Sequence, residues 1–360
     1  MTANASPDWV LYGAYGYTGR LIVAEALRLG MRPLLAGRNA EAVQALAAET
    51  GLPYQVARLD RPEELDALLE GKRLVLHAAG PFEHTGPPMW EACLRQGVHY
   101  LDITGEIPVF EALARMDDRA RQAGVALLPG VGFDVVPSDG LAAHLKARLP
   151  TATHLELVIC TRRARTSRGT LRTMLWNLHR PSAIRREGCI VDIEPGDRAR
   201  RLRWNGWERT VYRVRWGDVS TAYHTTGIPN IQVYMCLPPA LARWMPLWKR
   251  MAWLLRKDGV RRLLMALTRF LPPGPSEAER ERGRAYFQGR AWDDRGREVC
   301  ARLETPEGYT LTARAAVRAV ARLLAEPPPP GFWTPGRLFG PDFVLGIAGV
   351  KGYLPCPEAG

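Results

Sequence analysis

Three glycines spaced three residues apart, Gly13, Gly16 and Gly19 in GAYGYTG, stand between an apolar run and a helical stretch. This pattern suits a dinucleotide. A Cβ there would block the tight turn and hold the backbone away from a pyrophosphate, whose charge is received by amides at the helix N-terminus. The candidate contacts are Gly13, Tyr15, Gly16, Tyr17, Thr18 and Gly19. At the end of the next apolar run the chain reads AGRN, where an NAD site usually offers a carboxylate to the ribose hydroxyls. Gly37, Arg38 and Asn39 offer none, and a guanidinium at Arg38 suits a 2′-phosphate, so Arg38 and Asn39 join the cofactor candidates. NADP(H) is the preferred cofactor and NAD(H) the alternative. The competing reading of Arg38 is a solvated charge at the start of a helix.

Two further segments follow apolar runs and so fall at the carboxyl ends of strands, where open sheets bind their ligands. In AAGPF, Ala79, Gly80, Pro81 and Phe82 allow a close backbone approach to the nicotinamide side; in LDITGE, Asp102, Thr104 and Glu106 are the polar groups that could face it. Asp102 and Thr104 read equally as helix caps. In PGVGFDVVPSDGLAAHL, Gly130, Gly132, Phe133 and Asp134 are placed to line a cleft between domains, or to form a bend with Asp134 and Ser138 as caps. Asp102, Thr104, Glu106 and Asp134 are thus the catalytic candidates. His179 and His224 could donate a proton, but a lone histidine is more often structural, and neither is taken as catalytic.

The elements that must position these residues are legible as an alternation. Strands are read at WVLYG, RPLLAG, PYQVARLD, LVLHAAG, HYLDI and VALLPG, with helices between them, including PVFEALARMDDRARQAG as one helix. The fold class is α/β: an N-terminal doubly wound parallel Rossmann sheet and a second mixed α/β substrate domain. The expected divisions are residues 1–135, 136–310, and a C-terminal helix and tail, 311–360, packing back near the first domain. THLELVICT, TVYRVRW and NIQVYMCL carry the β-branched and aromatic residues of a second sheet, and Thr170 in SRGT is placed to cap a helix.

Composition bounds the partners. The chain has 360 residues, 46% hydrophobic and 24% charged, with a formal net charge of +12, the profile of a globular protein with a taste for anionic ligands. Only five lysines contribute, so nearly all the basic charge is arginine. The six cysteines are scattered, with no CxxC pair and no Cys/His cluster, which argues against a bound metal and against a disulfide framework. No charged-then-apolar leader and no long apolar run is read, so a cytoplasmic location is expected. Residues 239–271 place leucines and tryptophans at helical spacing among arginines and lysines, which fits either peripheral contact with a membrane or lipid, or a buried helix with a solvated face. Nucleic acid is disfavoured because no recognisable binding module accompanies the charge. A homodimer is compatible with the sequence.

Several of these segments together resemble the saccharopine dehydrogenase-like oxidoreductases, a family that includes bacterial trans-acting enoyl reductases. The matching stretches are GAYGYTGRLI, LAGRN, AAGPFEHTG, GVHYLDITGE and PGVGFDVVPSDGLAAHL, and later GPSEAERERGRAYFQGRAWDDRGREVCARLETPEGYTLTA. The resemblance implies a Rossmann fold, NADP(H) use and a second mixed α/β domain, without fixing a substrate. Short-chain dehydrogenases share a glycine-rich turn, but no tyrosine here is followed by a lysine four residues later. The expected activity is hydride transfer to or from a C=C or C=O of a hydrophobic or acyl small-molecule substrate. The alternatives are a dehydrogenase acting on a C–N bond, and a membrane-associated protein that binds NADP without chemistry.

Overall fold

The computed structural model describes residues 7–177, 180–194, 200–204, 207–236 and 258–356. Two compact units divide the chain: one holds the residues through Val136 with Tyr309–Phe339, the other Pro137–Gly308 with the residues from Gly340. The stretch after residue 310 is therefore shared between the units instead of forming one C-terminal segment.

In the first unit, strands β1 (Trp9–Tyr12), β2 (Leu34–Gly37), β3 (Tyr54–Val56), β4 (Leu74–His77), β5 (His99–Asp102) and β6 (Ala126–Leu128) alternate with helices. These are α1 (Tyr17–Arg28), α2 (Ala40–Thr50), α3 (Pro62–Leu69), α4 (Phe82–Gln96), α5 (Ile107–Ala114) and α6 (Asp117–Gln122). All pairings are parallel, in the order β3-β2-β1-β4-β5-β6, with a seventh strand, Gly331–Phe332, beside β6. β1, β2 and β4 are buried at every position, which is why they read as continuous apolar runs and not as alternation. Burying each leucine or valine of these strands contributes roughly 1.5–3 kcal/mol. The order reverses between β1 and β4, and at such a switch point the loops at the strands' carboxyl ends diverge and leave room for a ligand.

Two expectations change here. PVFEALARMDDRARQAG forms two helices, α5 and α6, with Arg115 and Met116 between them. The parallel sheet has seven strands where the sequence reads six. Gly331–Phe332 is too short to show periodicity, and it is held by tertiary contacts: Phe332 is buried at 3% exposure, and its amide donates to Asp117 Oδ1 at 2.6 Å.

The second unit opens with α7 (Val136–Arg148) and builds a mixed sheet. Its strands include β7 (His154–Arg162), β8 (Ser182–Arg186), β9 (Cys189–Ile193), β10 (Arg200–Trp204), β11 (Trp207–Arg213), β12 (Asn230–Cys236), β13 (Arg284–Trp292) and β14 (Glu298–Pro306), with Lys351–Pro355 at one edge. The main order is β10-β11-β12-β7-β13-β14-(Lys351–Pro355), and β8 and β9 branch from β12. The three segments with strand character become β7, β11 and β12. α7 packs on this sheet where β13 has Gly289, a position at which a Cβ would come 2.5 Å from Leu145 Cδ1. Helix α8 (Arg168–Asn177) is capped by Ser167, whose Oγ accepts the Thr170 amide at 3.2 Å, so the cap lies three residues before the expected Thr170. The expectation of no disulfides is also corrected. Adjacent strands bring Cys160 and Cys236 together with Cα atoms 4.9 Å apart, and Cys300 meets Cys356 at 5.7 Å, both pairs bonded. Scattered positions in sequence are neighbours in a sheet, and spacing alone does not reveal that. Residues 239–257 of the basic amphipathic segment, and His179, lie outside the described residues. Among the described residues no helix is long and apolar enough to cross a membrane, and no cluster of potential metal ligands occurs.

Candidate functional site

The loops at the carboxyl ends of β1, β4, β5 and β6 lie along one rim of the parallel sheet. At β1, Gly13 takes φ +83°, which favours glycine, and its amide donates to the Ala36 carbonyl at 2.8 Å. A Cβ at Gly13 would meet Ala79 Cβ at 2.8 Å, and one at Gly19 would collide with the carbonyl oxygens of Gly13 and Ala14. Gly16 differs: a Cβ there would meet only the Gly13 carbonyl oxygen, at 3.3 Å. Two of the three glycines are thus required by the protein's own packing, while Gly16 leaves its outer side open to an approaching group. Helix α1 begins at Gly16 with no side-chain cap and no acidic residue in its first turn. Its terminal amides and dipole therefore present positive potential at the rim.

The Tyr15 ring lies on the end of β2, where a Cβ at Gly37 would come 2.5 Å from its Cε1. Next to it Arg38 is exposed and makes no ion pair among the described residues. Asn39 does otherwise: its side-chain oxygen accepts the Ala42 amide at 3.1 Å and caps α2. Tyr17 meets Tyr309 edge-to-face, with ring centroids 5.1 Å apart, so the first turn of α1 is backed by the helix Gly308–Ala325.

At β4, the Ala79–Phe82 loop is pinned by Thr85, whose hydroxyl lies 2.6 Å from the Ala79 carbonyl and 3.0 Å from the Pro81 carbonyl. His77 ends this strand, fully buried, with Nε2 3.0 Å from Thr85 Oγ1. Because the Thr85 proton is directed at a carbonyl, His77 Nε2–H is the donor in that contact, and Nδ1 carries the lone pair. Burial lowers the His77 pKa to about 3, which keeps the ring neutral.

The catalytic candidates are brought together, but their oxygens are engaged by the loops themselves. Asp102 is fully buried: Oδ1 accepts the Thr104 and Gly130 amides, each at 2.9 Å, and Oδ2 accepts the Tyr100 hydroxyl at 2.8 Å. Burial raises its pKa to about 7 against the lowering effect of those amides. Thr104, 1% exposed, accepts the Glu106 amide at 3.0 Å. Glu106 accepts Phe82 N on Oε1 and Glu83 N on Oε2, both at 2.9 Å, and so caps α4 from a distant loop. In the structure these three residues hydrogen-bond the loops after β4, β5 and β6 to one another. Local motif reading could not show this, because an LDITGE segment displays its polar groups without their partners.

The Asp134 carboxyl lies against Gly105, where a Cβ would come 2.7 Å from Oδ2. Burial, and then the charge of Glu106, raise its pKa to about 7. The adjacent turn is held by the Phe133 amide donating to Thr312 Oγ1 at 3.0 Å. His77, Thr85, Tyr309 and Thr312 were not singled out from the sequence. A signal existed for His77, a polar residue closing the apolar run LVLH.

Known proteins align with this geometry. Residues 9–128 match the family model of the saccharopine dehydrogenase NADP binding domain. A probable mitochondrial saccharopine dehydrogenase-like oxidoreductase of Arabidopsis thaliana is 34% identical over 157 residues, covering 39% of this chain and 35% of that protein. A trans-acting enoyl reductase of Mycobacterium leprae is 36% identical over 141 residues, 37% of this chain and 34% of that protein. Each matched stretch thus spans about a third of its relative. The apo saccharopine dehydrogenase (L-Glu forming) of Saccharomyces cerevisiae superposes with a TM-score of 0.66 over 94% of this chain and 96% of that chain, at 12% identity, a likeness of fold. Residues 9–128 of this chain thus match the saccharopine dehydrogenase NADP binding domain, and this part of the chain is similar to the corresponding parts of saccharopine dehydrogenase-like oxidoreductases and trans-acting enoyl reductases.

Proposed function

We propose that the protein is an NADP(H)-dependent oxidoreductase acting on a C=C or C=O group of a hydrophobic or acyl substrate. One observation carries the cofactor half of this reading: the uncapped, acid-free start of α1 beside an exposed Arg38 that makes no ion pair among the described residues. The rim fits the cofactor. Gly16 leaves space for a pyrophosphate above the amides of Tyr17, Thr18 and Gly19, Arg38 is the cation for a 2′-phosphate, and Tyr15 offers a ring face beside it. Ala79, Gly80, Pro81 and Phe82 form the backbone wall towards the nicotinamide. A bound nicotinamide supplies or accepts the hydride at C4.

The chain's part is to place the reacting carbon and to balance the proton. When a hydride adds to one carbon of a C=C or to the carbon of a C=O, the partner atom takes up a proton. Asp134 is the proposed donor, since a carboxyl with a pKa near 7 is substantially protonated at neutral pH. Asp102, Thr104 and Glu106 act as positioning residues that hold the loops. The acyl or enoyl preference is supported by similarity to proteins named trans-acting enoyl reductases.

The test is oxidation of NADPH by purified protein across a panel of enoyl thioesters, enones, aldehydes and imines, with Asp134→Asn as the comparison. Turnover of an enoyl or carbonyl substrate, reduced at least about tenfold in Asp134→Asn, is the expected result. Turnover of imines alone would move the activity to C–N bonds. NADPH binding without turnover of any class would contradict the enzymatic reading.

A further inference from the structure

We propose that the face of the second unit formed by α8, helix α9 (Asp258–Leu267) and the turn Thr268–Phe270 docks on an anionic membrane surface. Large apolar side chains are concentrated there. Among the described residues Met174, Leu263, Leu267, Phe270 and Leu271 are 55%, 61%, 51%, 72% and 47% exposed. Leu263, Leu267, Phe270 and Leu271 follow the spacing i, i+4, i+7, i+8, so they form one stripe along the helix and its continuation. A contiguous exposed apolar stripe of this kind marks a contact surface, because leaving it in water forgoes its burial.

The charge around the stripe selects the partner. Between Glu156 and Glu187 the chain has eight arginines and no acidic residue, and between Asp258 and Glu277 it again has no acidic residue. Arg168, Arg172, Arg262 and Arg269 surround the stripe, and none of them pairs with a carboxylate among the described residues. Three of these heads are held in place: Arg172 Nε donates to Thr268 Oγ1 at 2.9 Å, Arg168 donates to the Arg269 carbonyl at 3.3 Å, and the Arg269 guanidinium lies 4.6 Å from the Phe270 ring centroid. Arg168 also lines a depression with Leu171, Leu271 and Pro272, beside Arg165, whose charge is taken by Glu279 at 2.9 Å.

An apolar stripe ringed by guanidiniums that pair with no carboxylate among the described residues matches the two layers of a bilayer interface. The leucines and Phe270 enter the acyl boundary to a depth of about 5–10 Å, while the arginines meet phosphate headgroups. A soluble acidic protein would satisfy the arginines but would have to supply its own apolar groove. A bilayer offers both chemistries over its whole area.

The test is co-sedimentation of the full-length protein with sucrose-loaded vesicles of phosphatidylcholine alone and of phosphatidylcholine with phosphatidylglycerol. The expected result is partition into the anionic vesicles only, lowered about fivefold by each of Arg168→Gln and Arg269→Gln and largely lost in Leu267→Asp and Phe270→Asp. The melting temperature of each variant is measured alongside, and these exposed positions should leave it unchanged. Absence of partition by the wild-type protein would overturn the proposal. Partition unaffected by Phe270→Asp and Leu267→Asp, or equal on neutral vesicles, would also overturn it. A concentration-dependent dimer in sedimentation velocity that Phe270→Asp abolishes would assign the face to a second copy instead.

Discussion

Glu106 caps a helix that begins 24 residues before it: its two carboxylate oxygens accept the amides of Phe82 and Glu83, each at 2.9 Å. Helix α4 has Pro81 at its N-cap, with no side chain of its own to do this. The carboxylate satisfies two otherwise orphaned donors and sits on the positive end of the helix dipole. It therefore ties the β5 loop to the loop after β4, the one proposed as the nicotinamide wall.

Glu106→Gln keeps the shape but removes the charge and turns one acceptor into a donor facing an amide. The expected cost is about 2–3 kcal/mol of stability, from weakened charge-assisted hydrogen bonds in a buried setting. Urea denaturation measures it. An unchanged midpoint would mean that the cap does not hold the loops.

Gly16 and Gly19 should separate cofactor binding from folding. At Gly19 an added methyl meets two backbone carbonyls that cannot move aside, so Gly19→Ala should lose about 1–3 kcal/mol of stability. At Gly16 the only neighbour is one carbonyl oxygen at 3.3 Å. Gly16→Ala should melt near the wild-type temperature yet bind NADPH about tenfold or more weakly, since its methyl enters the space proposed for the pyrophosphate. Equal loss of stability in both would contradict this division.

Asp134 makes stability depend on pH in a defined direction. Its pKa rises on folding from 3.8 to about 7, so the folded state holds a proton that the unfolded state has released across that window. Stability is then highest below the lower value and falls as pH rises through the upper one, by up to about 1.4 kcal/mol per pH unit for a single group. Asp134→Asn cannot ionise. The wild type should therefore lose stability relative to the variant between pH 4 and 7, with a constant difference above that range. A difference that is flat throughout would place the Asp134 carboxyl in an ordinary solvated setting.

Those features of the site that depend on nearby residues were legible in the sequence. The spacing of Gly13, Gly16 and Gly19, the missing carboxylate beside Arg38 and the apolar runs of β1, β2 and β4 all follow from local backbone geometry and burial. What escaped depends on partners far along the chain. Asp102 and Glu106 read as polar groups facing a ligand because their acceptors' partners, Gly130 and the Phe82 and Glu83 amides, are supplied by other loops. Thr312 reaches the Phe133 amide across 179 residues, and the strand at Gly331–Phe332 exists only through its pairing with β6. The Cys160–Cys236 pair is of the same kind, created by β7 and β12 lying side by side.

The central claim is a nucleotide site whose 2′-phosphate is held by Arg38, and titration of the purified protein with NADPH and with NADH, in wild type and in Arg38→Ala, tests it most directly. NADPH should bind more tightly than NADH to the wild type. Arg38→Ala should weaken NADPH about 10- to 100-fold, the equivalent of one charge-assisted contact, while leaving NADH nearly unchanged. Failure of the wild-type protein to bind either nucleotide, or equal loss of both in Arg38→Ala, would contradict it.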